Sequence, residues 1–250
     1  MPFPRVRLAA RFFALFAGVT LSMPGNTTHA AEPYRVLSPV GRTASPAVLL
    51  VPGCSGFVAT NGVNLYDERA GELQAAGYLV VFVDYLARRN LTDCAGGRDV
   101  SRAEIGSDIL EAAAWVLGQA GGASGKIFVI GWSYGGGGVL AALASMPQGP
   151  PPLFAKAVMY YPDCRRAMPW SSADVSALML MGAIDEVARP ALCDAVIKAA
   201  PSNTLRTILY PNARHSFDVR SLPESAQLGA VGYNAEAAQA SWTTVLDFLR

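Results

Sequence analysis

The sequence predicts an α/β fold, with a mostly parallel central sheet, helices on both faces and one domain. Three observations predict it. Apolar strand-like runs alternate with helix-like segments along most of the chain, which is the signature of helices packed on a parallel sheet. Most of those runs are apolar throughout rather than alternating, as strands covered on both faces must be. The residues with chemistry to offer fall just past the ends of such runs, where an open α/β sheet displays its functional groups.

The chain starts with a stretch expected to lie outside that domain. Arg5, Arg7 and Arg11 give a positive start, Phe12 to Met23 is apolar, and Pro24, Gly25 and Asn26 break it. Small residues follow at Thr28, Ala30 and Ala31. Residues 1–30 therefore read as a cleaved secretory signal peptide, with cleavage after Ala30 or Ala31. The apolar core is shorter than the ~20 residues that a membrane anchor needs. Residues 31–250 remain as one domain, exported to the periplasm or secreted.

Its strands are expected at Ala47 to Val51, Tyr78 to Val83, Ile127 to Ile130, Ala157 to Tyr161, Ala177 to Met181 and Leu205 to Tyr210, with a short opening strand near Tyr34 to Leu37. Helices fall between them. Leu65 to Ala76 stops at Gly77, a natural C-terminal cap. Ile105, Ile109, Ala112 and Val116 recur at helical spacing and mark one face of a long helix. Ser133 to Ser145 begins with a glycine run and turns alanine- and leucine-rich. Ala191 to Ala200 follows Pro190, which suits a first helical turn. The last helix, Ala235 to Leu249, carries Ala238, Trp242 and Val245 on one face. Gly149-Pro150-Pro151-Pro152 reads as a surface connection.

Loss of the leader removes three of 20 basic residues and none of the 19 acidic ones, leaving 17 against 19 and a formal charge of −2. That balance offers no footprint for nucleic acid and no polybasic membrane patch. Nothing after the leader is apolar enough to span a bilayer. The expected partner is a small molecule, and the sequence carries no signal for oligomeric state. Cys54, Cys94, Cys164 and Cys193 are an even set in an exported chain, which points to disulfides in one of three connectivities. A metal site fails on spacing, since no two cysteines lie close together and only one histidine could join them.

The chemistry rests on three residues. Gly131-Trp132-Ser133-Tyr134-Gly135 follows the apolar run Ile127 to Ile130 directly. A G-x-S-x-G turn there sets a serine on a tight strand-to-helix corner, with glycines where a Cβ would clash. A serine hydroxyl is a poor nucleophile at neutral pH without an adjacent base. Of the two histidines, His29 lies in the leader, so His215, in the loop after the last strand, is the only imidazole available. Asp185 follows Ala177 to Met181 and would hold His215 in its working tautomer. Glu186 competes with it, but Glu186 opens the stretch that caps the helix after Pro190. Asp218, near His215 in sequence, reads as structural. Nucleophile, acid and base in that chain order are the arrangement of an α/β-hydrolase. Oxyanion donors would be the backbone N–H groups of Tyr134 and of a residue in Pro52 to Gly56, with Cys54 first and Ser55 second. Arg89 could meet an acidic substrate group or simply be solvated. No cofactor is called for.

From about Ala47 onward the chain resembles the dienelactone hydrolase family, in its exported, serine-nucleophile form. The resemblance rests on LLVPGCSGF, VVFVDYLARRNLTDC, VIGWSYGG, YYPDC, LMGAIDEVARPALC and YPNARHSFD, and on the closing helix after Tyr233-Asn234. It implies an α/β-hydrolase fold without a large lid domain, the triad Ser133, Asp185 and His215, and the disulfides Cys54–Cys94 and Cys164–Cys193. One departure matters. Family members that act on dienelactone carry a cysteine nucleophile and a glutamate in the first loop; here those positions are Ser133 and Gly53. The leading expectation is a serine hydrolase of small esters or lactones. The elbow GWSYGG also resembles that of prolyl oligopeptidases, but no propeller domain accompanies it. A non-catalytic binding protein on the same fold is the third reading.

Overall fold

Among the described residues, seven strands form one sheet: β1 (Arg35–Leu37), β2 (Ala47–Val51), β3 (Leu79–Phe82), β4 (Ile127–Trp132), β5 (Lys156–Tyr160), β6 (Ser176–Gly182) and β7 (Leu205–Tyr210). Their order is β1-β3-β2-β4-β5-β6-β7. All neighbours are parallel except β1, which runs antiparallel to β3 with Val36 opposite Val81. The computed structural model describes Met1 and residues 33–39, 45–59, 62, 64–95, 99–119, 125–147, 149, 151–167, 170–171, 173–224 and 229–250. The expected leader after Met1, with its cleavage point, and Pro150 lie outside the described residues.

Among the described residues, five α-helices cover the sheet: α1 (Leu65–Ala75), α2 (Arg102–Gly118), α3 (Tyr134–Ser145), α4 (Asp194–Ala199) and α5 (Ala235–Leu249). Successive strand side chains point to opposite faces, and the core divides accordingly. Leu49, Val81, Val129, Ala157 and Met179 pack with α2, α3 and α4. Leu50, Val80, Ile130, Val158 and Leu180 pack with α1 and α5. This two-sided burial is why the strands read as unbroken apolar runs; every side chain of β2 is fully buried.

The helix ends follow from local chemistry. The Asn64 side chain caps α1 by accepting from the N–H groups of Tyr66 and Asp67. Ser101 and Glu104 form a reciprocal capping box on α2, and Asn234 caps α5 through the Ala237 N–H. Each such cap stabilises by roughly 1 kcal/mol.

Several boundaries differ from expectation for identifiable reasons. Tyr78 is not in β3, because its N–H donates back to the Leu73 carbonyl (3.0 Å) and Gly77, at φ +94°, turns the chain there. Tyr161 leaves β5 because its backbone turns to φ +33°. Helix α3 starts one residue later than expected, at Tyr134, since Ser133 is not helical. The helix expected from Ala191 is a 3₁₀ turn, Pro190–Cys193, that hands over to a short α4. Among the described residues, no helix is long and apolar enough to cross a membrane.

Candidate active site

The candidate residues lie beyond the C-terminal ends of three parallel strands. Ser133 follows β4 directly, Asp185 lies three residues past β6, and His215 lies five past β7. Parallel strands place those ends along one edge, so residues far apart in sequence meet there.

Ser133 sits at φ +50° and ψ −115°, a region that costs a non-glycine residue about 1–3 kcal/mol. Its backbone is tied on both sides. The Ser133 N–H donates to the Tyr160 carbonyl (2.9 Å), and its carbonyl accepts from the N–H groups of Gly137 and Asp163 (3.0 Å each). The flanking glycines make the corner sterically feasible. A Cβ on Gly131 would lie 2.7 Å from both the Gly135 carbonyl oxygen and Val139 Cγ2. A Cβ on Gly135 would overlap the Pro52 carbonyl.

Three side chains form a continuous relay. The His215 Nε2 lies 2.8 Å from Ser133 Oγ, and His215 Nδ1 lies 2.8 Å from Asp185 Oδ2. Asp185 and His215 are only 3% and 5% exposed. The second carboxylate oxygen of Asp185 accepts the N–H groups of Val187 and Ala188, both at 2.8 Å. That pair of bonds fixes the carboxylate plane and leaves Oδ2 for the ring. The Asp185 and His215 loops are themselves joined, since Ile184 N–H donates to the Ala213 carbonyl (3.2 Å). Glu186 is exposed, so Asp185 is the carboxylate that meets the imidazole. With Nδ1–H donating to Asp185, Nε2 is left as the acceptor for the serine proton.

The relay opens on a pocket of about 340 Å³ lined in part by Gly53, Cys54, Ser55, Ser133 and His215. The loop facing Ser133 is held by two tyrosines that sequence reasoning missed. Tyr66 Oη accepts the Gly53 N–H (2.9 Å), and Tyr85 donates to the Gly53 carbonyl (2.7 Å). Burial raises both phenols well above their ordinary pKa, so they stay neutral. With the Gly53 peptide so engaged, Cys54 is the next residue in the pocket wall. Tyr134 does not line the pocket, but its N–H opens α3 immediately after Ser133. Its hydroxyl donates to the Val100 carbonyl (2.8 Å).

Asp218, read from sequence as structural, lies beneath the site. It is 2% exposed and accepts from the Trp132 indole N–H (2.9 Å) and the Tyr161 hydroxyl (2.6 Å). Trp132 precedes Ser133, and the Tyr161 ring packs 4.6 Å from the His215 ring. Its partners lie 86 and 57 residues away in sequence, and no local pattern announces them.

Arg89 does not line the pocket, which corrects the reading of it as a substrate contact; the alternative, a freely solvated side chain, does not hold either. Its guanidinium pairs with buried Asp108 on α2 (2.6 Å) and donates to the Tyr85 carbonyl (2.8 Å). Asp108 interrupts the apolar stripe of Ile105, Ile109 and Ala112, a sequence signal for a buried ion pair. The cysteines pair as Cys54–Cys94 and Cys164–Cys193, with Cα atoms 4.9 and 5.1 Å apart. The first pair joins the loop facing Ser133 to the segment after β3. The second joins the segment after β5 to the 3₁₀ turn after the Asp185 loop. Among the described residues, no group of three or more His, Cys, Asp or Glu is placed to hold a metal ion.

Comparison with known proteins agrees with this architecture. The family model described as "Dienelactone hydrolase family" matches residues 34–250. A dienelactone hydrolase candidate from Klebsiella pneumoniae superposes with a TM-score of 0.65 at 18% identity, covering 85% of this chain and 90% of that one. A dienelactone hydrolase-like promiscuous phosphotriesterase from metagenomic libraries gives 0.64 at 21% identity, covering 82% and 85%. Esterase 2 of Thermogutta terrifontis, phosphonylated by sarin, gives 0.58 at 13% identity, covering 86% and 88%. Comparison with curated proteins finds no match.

Proposed function

The chain belongs to the dienelactone hydrolase family, and on that premise we propose that it is a serine hydrolase of small carboxylic esters or lactones. The observation that carries this reading is the Asp185–His215–Ser133 relay, 2.8 Å at each step, opening on the pocket. Ser133 Oγ attacks the ester carbonyl while His215 Nε2 takes its proton; Asp185 holds the imidazolium that results. The negative oxygen of the tetrahedral intermediate is met by the backbone N–H groups of Cys54 and Tyr134. Collapse expels the alkoxide, which leaves as the alcohol with the proton from His215. Water, deprotonated by the same ring, then attacks the acyl-enzyme and releases the acid and free Ser133.

The test is hydrolysis of p-nitrophenyl butyrate by wild type and Ser133→Ala. Loss of the nucleophile should cut turnover by ~10⁴–10⁶-fold with the fold intact by circular dichroism. Near-normal cleavage by that variant overturns the reading. The enzyme also acts outside the cytoplasm, in the periplasm or beyond, with residues 1–30 removed as a signal peptide. Two disulfides support an oxidising compartment. Protein recovered from those fractions should begin at Ala31 or Glu32; an intact Met1 refutes the cleavage.

A further inference from the structure

We infer that the substrate is uncharged on both sides of its scissile ester, and that a carboxylate on either the acyl or the alcohol part excludes it. This rests on the hydrolase reading above and narrows its substrate class. Among the described residues lining the pocket there is no Asp, Glu, Lys or Arg. Apart from His215, the only described lining side chains able to ionise are Tyr66 and Tyr161, whose phenols burial holds neutral. The outer wall is apolar: Val58, Val187 and Val231 line it while remaining 53%, 47% and 41% exposed to solvent.

The charge behind that wall has the wrong sign for an acid, because the Asp185 carboxylate lies under His215. Several guanidinium groups of the chain are tied up in ion pairs of their own. Arg89 pairs with Asp108, Arg102 and Arg165 with Asp163, and Arg220 with Glu68. Of the residues after position 32 that lie outside the description, only Arg42 and Arg98 are charged. A substrate carboxylate would therefore shed water without gaining a cation, which is strongly unfavourable. Attack by Ser133 makes it worse, because the new oxyanion adds a second negative charge in the same pocket. At about 340 Å³ the pocket is at the small end for ligand sites, ~300–1,000 Å³, so a charged end could not stay far from the reacting carbonyl.

Shape-matched pairs isolate the charge. 4-Acetoxybenzamide and 4-acetoxybenzoate differ by one charge on the alcohol side. Phenyl 4-carbamoylbenzoate and phenyl 4-carboxybenzoate differ by one on the acyl side. With each rate divided by its own uncatalysed hydrolysis, kcat/KM should favour the amide of each pair by at least ~10²-fold. The preference should persist in ~0.5 M salt, which screens long-range repulsion by the whole protein but not local desolvation. Val231→Arg, which adds a cation at the mouth, should shrink the preference by ~10-fold or more. Preferences within about threefold, or acceptance of the acids that disappears in Arg98→Ala, overturn the inference while leaving the hydrolase reading in place. If wild type cleaves neither these four esters nor p-nitrophenyl butyrate, the hydrolase reading falls and takes this inference with it; cleavage of the butyrate with none of the four overturns this inference alone.

Discussion

Replacing Asp218 by alanine tests how the floor of the pocket is held. The carboxylate accepts two buried donors, the Trp132 indole N–H at 2.9 Å and the Tyr161 hydroxyl at 2.6 Å. Truncation leaves both without their acceptor, at about 1–3 kcal/mol each, so the variant should lose roughly 2–6 kcal/mol. For a domain of this size each kcal/mol moves the melting midpoint by about 2–4 °C. A loss of ~4 kcal/mol thus predicts a fall of about 8–16 °C. Asp218→Asn keeps one acceptor and should cost about half as much. Burial lifts the Asp218 carboxyl above the usual carboxylate range, despite the hydrogen bonds from Tyr161 and Trp132. The folded chain therefore keeps this proton where the unfolded chain has released it. The associated stability is complete below about pH 3.9 and is lost as pH rises through the elevated value. Asp218→Asn has no such titration, so its deficit against wild type should narrow as pH rises from about 3.9 through the elevated value. Because Trp132 adjoins Ser133 and Tyr161 packs on His215, ester turnover should fall by up to ~10²-fold through kcat rather than KM. Melting curves by circular dichroism and steady-state ester kinetics supply both readouts. A midpoint for Asp218→Ala within about 2 °C of wild type, with unchanged kcat, would refute the reasoning.

Asp185→Ala should lower kcat for a p-nitrophenyl ester by about 10⁴-fold, whereas Glu186→Ala should stay within about threefold; equal losses would mean that the wrong carboxylate has been paired with His215. Gly135→Ala should yield little folded protein, because its Cβ overlaps the Pro52 carbonyl. Gly71→Ala, on α1 with no atom within 4 Å of the new Cβ, should gain about 0.5–1 kcal/mol in denaturant melts. The two disulfides close loops of 40 and 29 residues, for which chain entropy gives about 3–4 kcal/mol each. Removing Cys54–Cys94 as a double serine variant should cost that stability and also raise KM, since Cys54 lines the pocket. Removing Cys164–Cys193 should affect stability first, and identical KM effects would contradict this division.

The sheet was legible because both its faces are covered, which makes β2, β3 and β4 unbroken apolar runs. Element ends were less so, since they depend on single bonds such as Tyr78 N–H to the Leu73 carbonyl. Ser133, Asp185 and His215 were legible because each follows a strand, and parallel strands bring their ends to one edge. What sequence does not carry is the partner of a polar side chain from another element. Tyr66 and Tyr85 clamp Gly53, and Asp218 joins Trp132 to Tyr161, across separations that no periodicity encodes. Arg89 shows the same limit: its loop position suggested substrate, while its partner Asp108 was the odd residue in an apolar stripe. Disulfide pairing was open among three connectivities on spacing alone, and only the family resemblance implied the pairs found.

Strain at Ser133 persists because its surroundings leave the backbone no relaxed alternative. Rotating φ back to a negative value would break the bond to the Tyr160 carbonyl and the two that end on the Ser133 carbonyl. Each is worth about 1 kcal/mol net and more if a buried group is orphaned, so together they are enough to offset the ~1–3 kcal/mol of strain. One of those donors, the Asp163 N–H, is itself anchored. Burial pushes the Asp163 carboxyl up, but hydrogen bonds from Arg165 and the charge of Arg102 outweigh it and hold the group below the usual carboxylate range. The adjacent Cys164 is cross-linked to Cys193. On the opposite side of the pocket, Cys54 is cross-linked to Cys94 and the Gly53 peptide is clamped by two neutral tyrosines. The strained serine and the loop facing it are therefore each held by one disulfide and one buried polar cluster. A small pocket can keep its reacting geometry by this means, with rigidity supplied beneath the site.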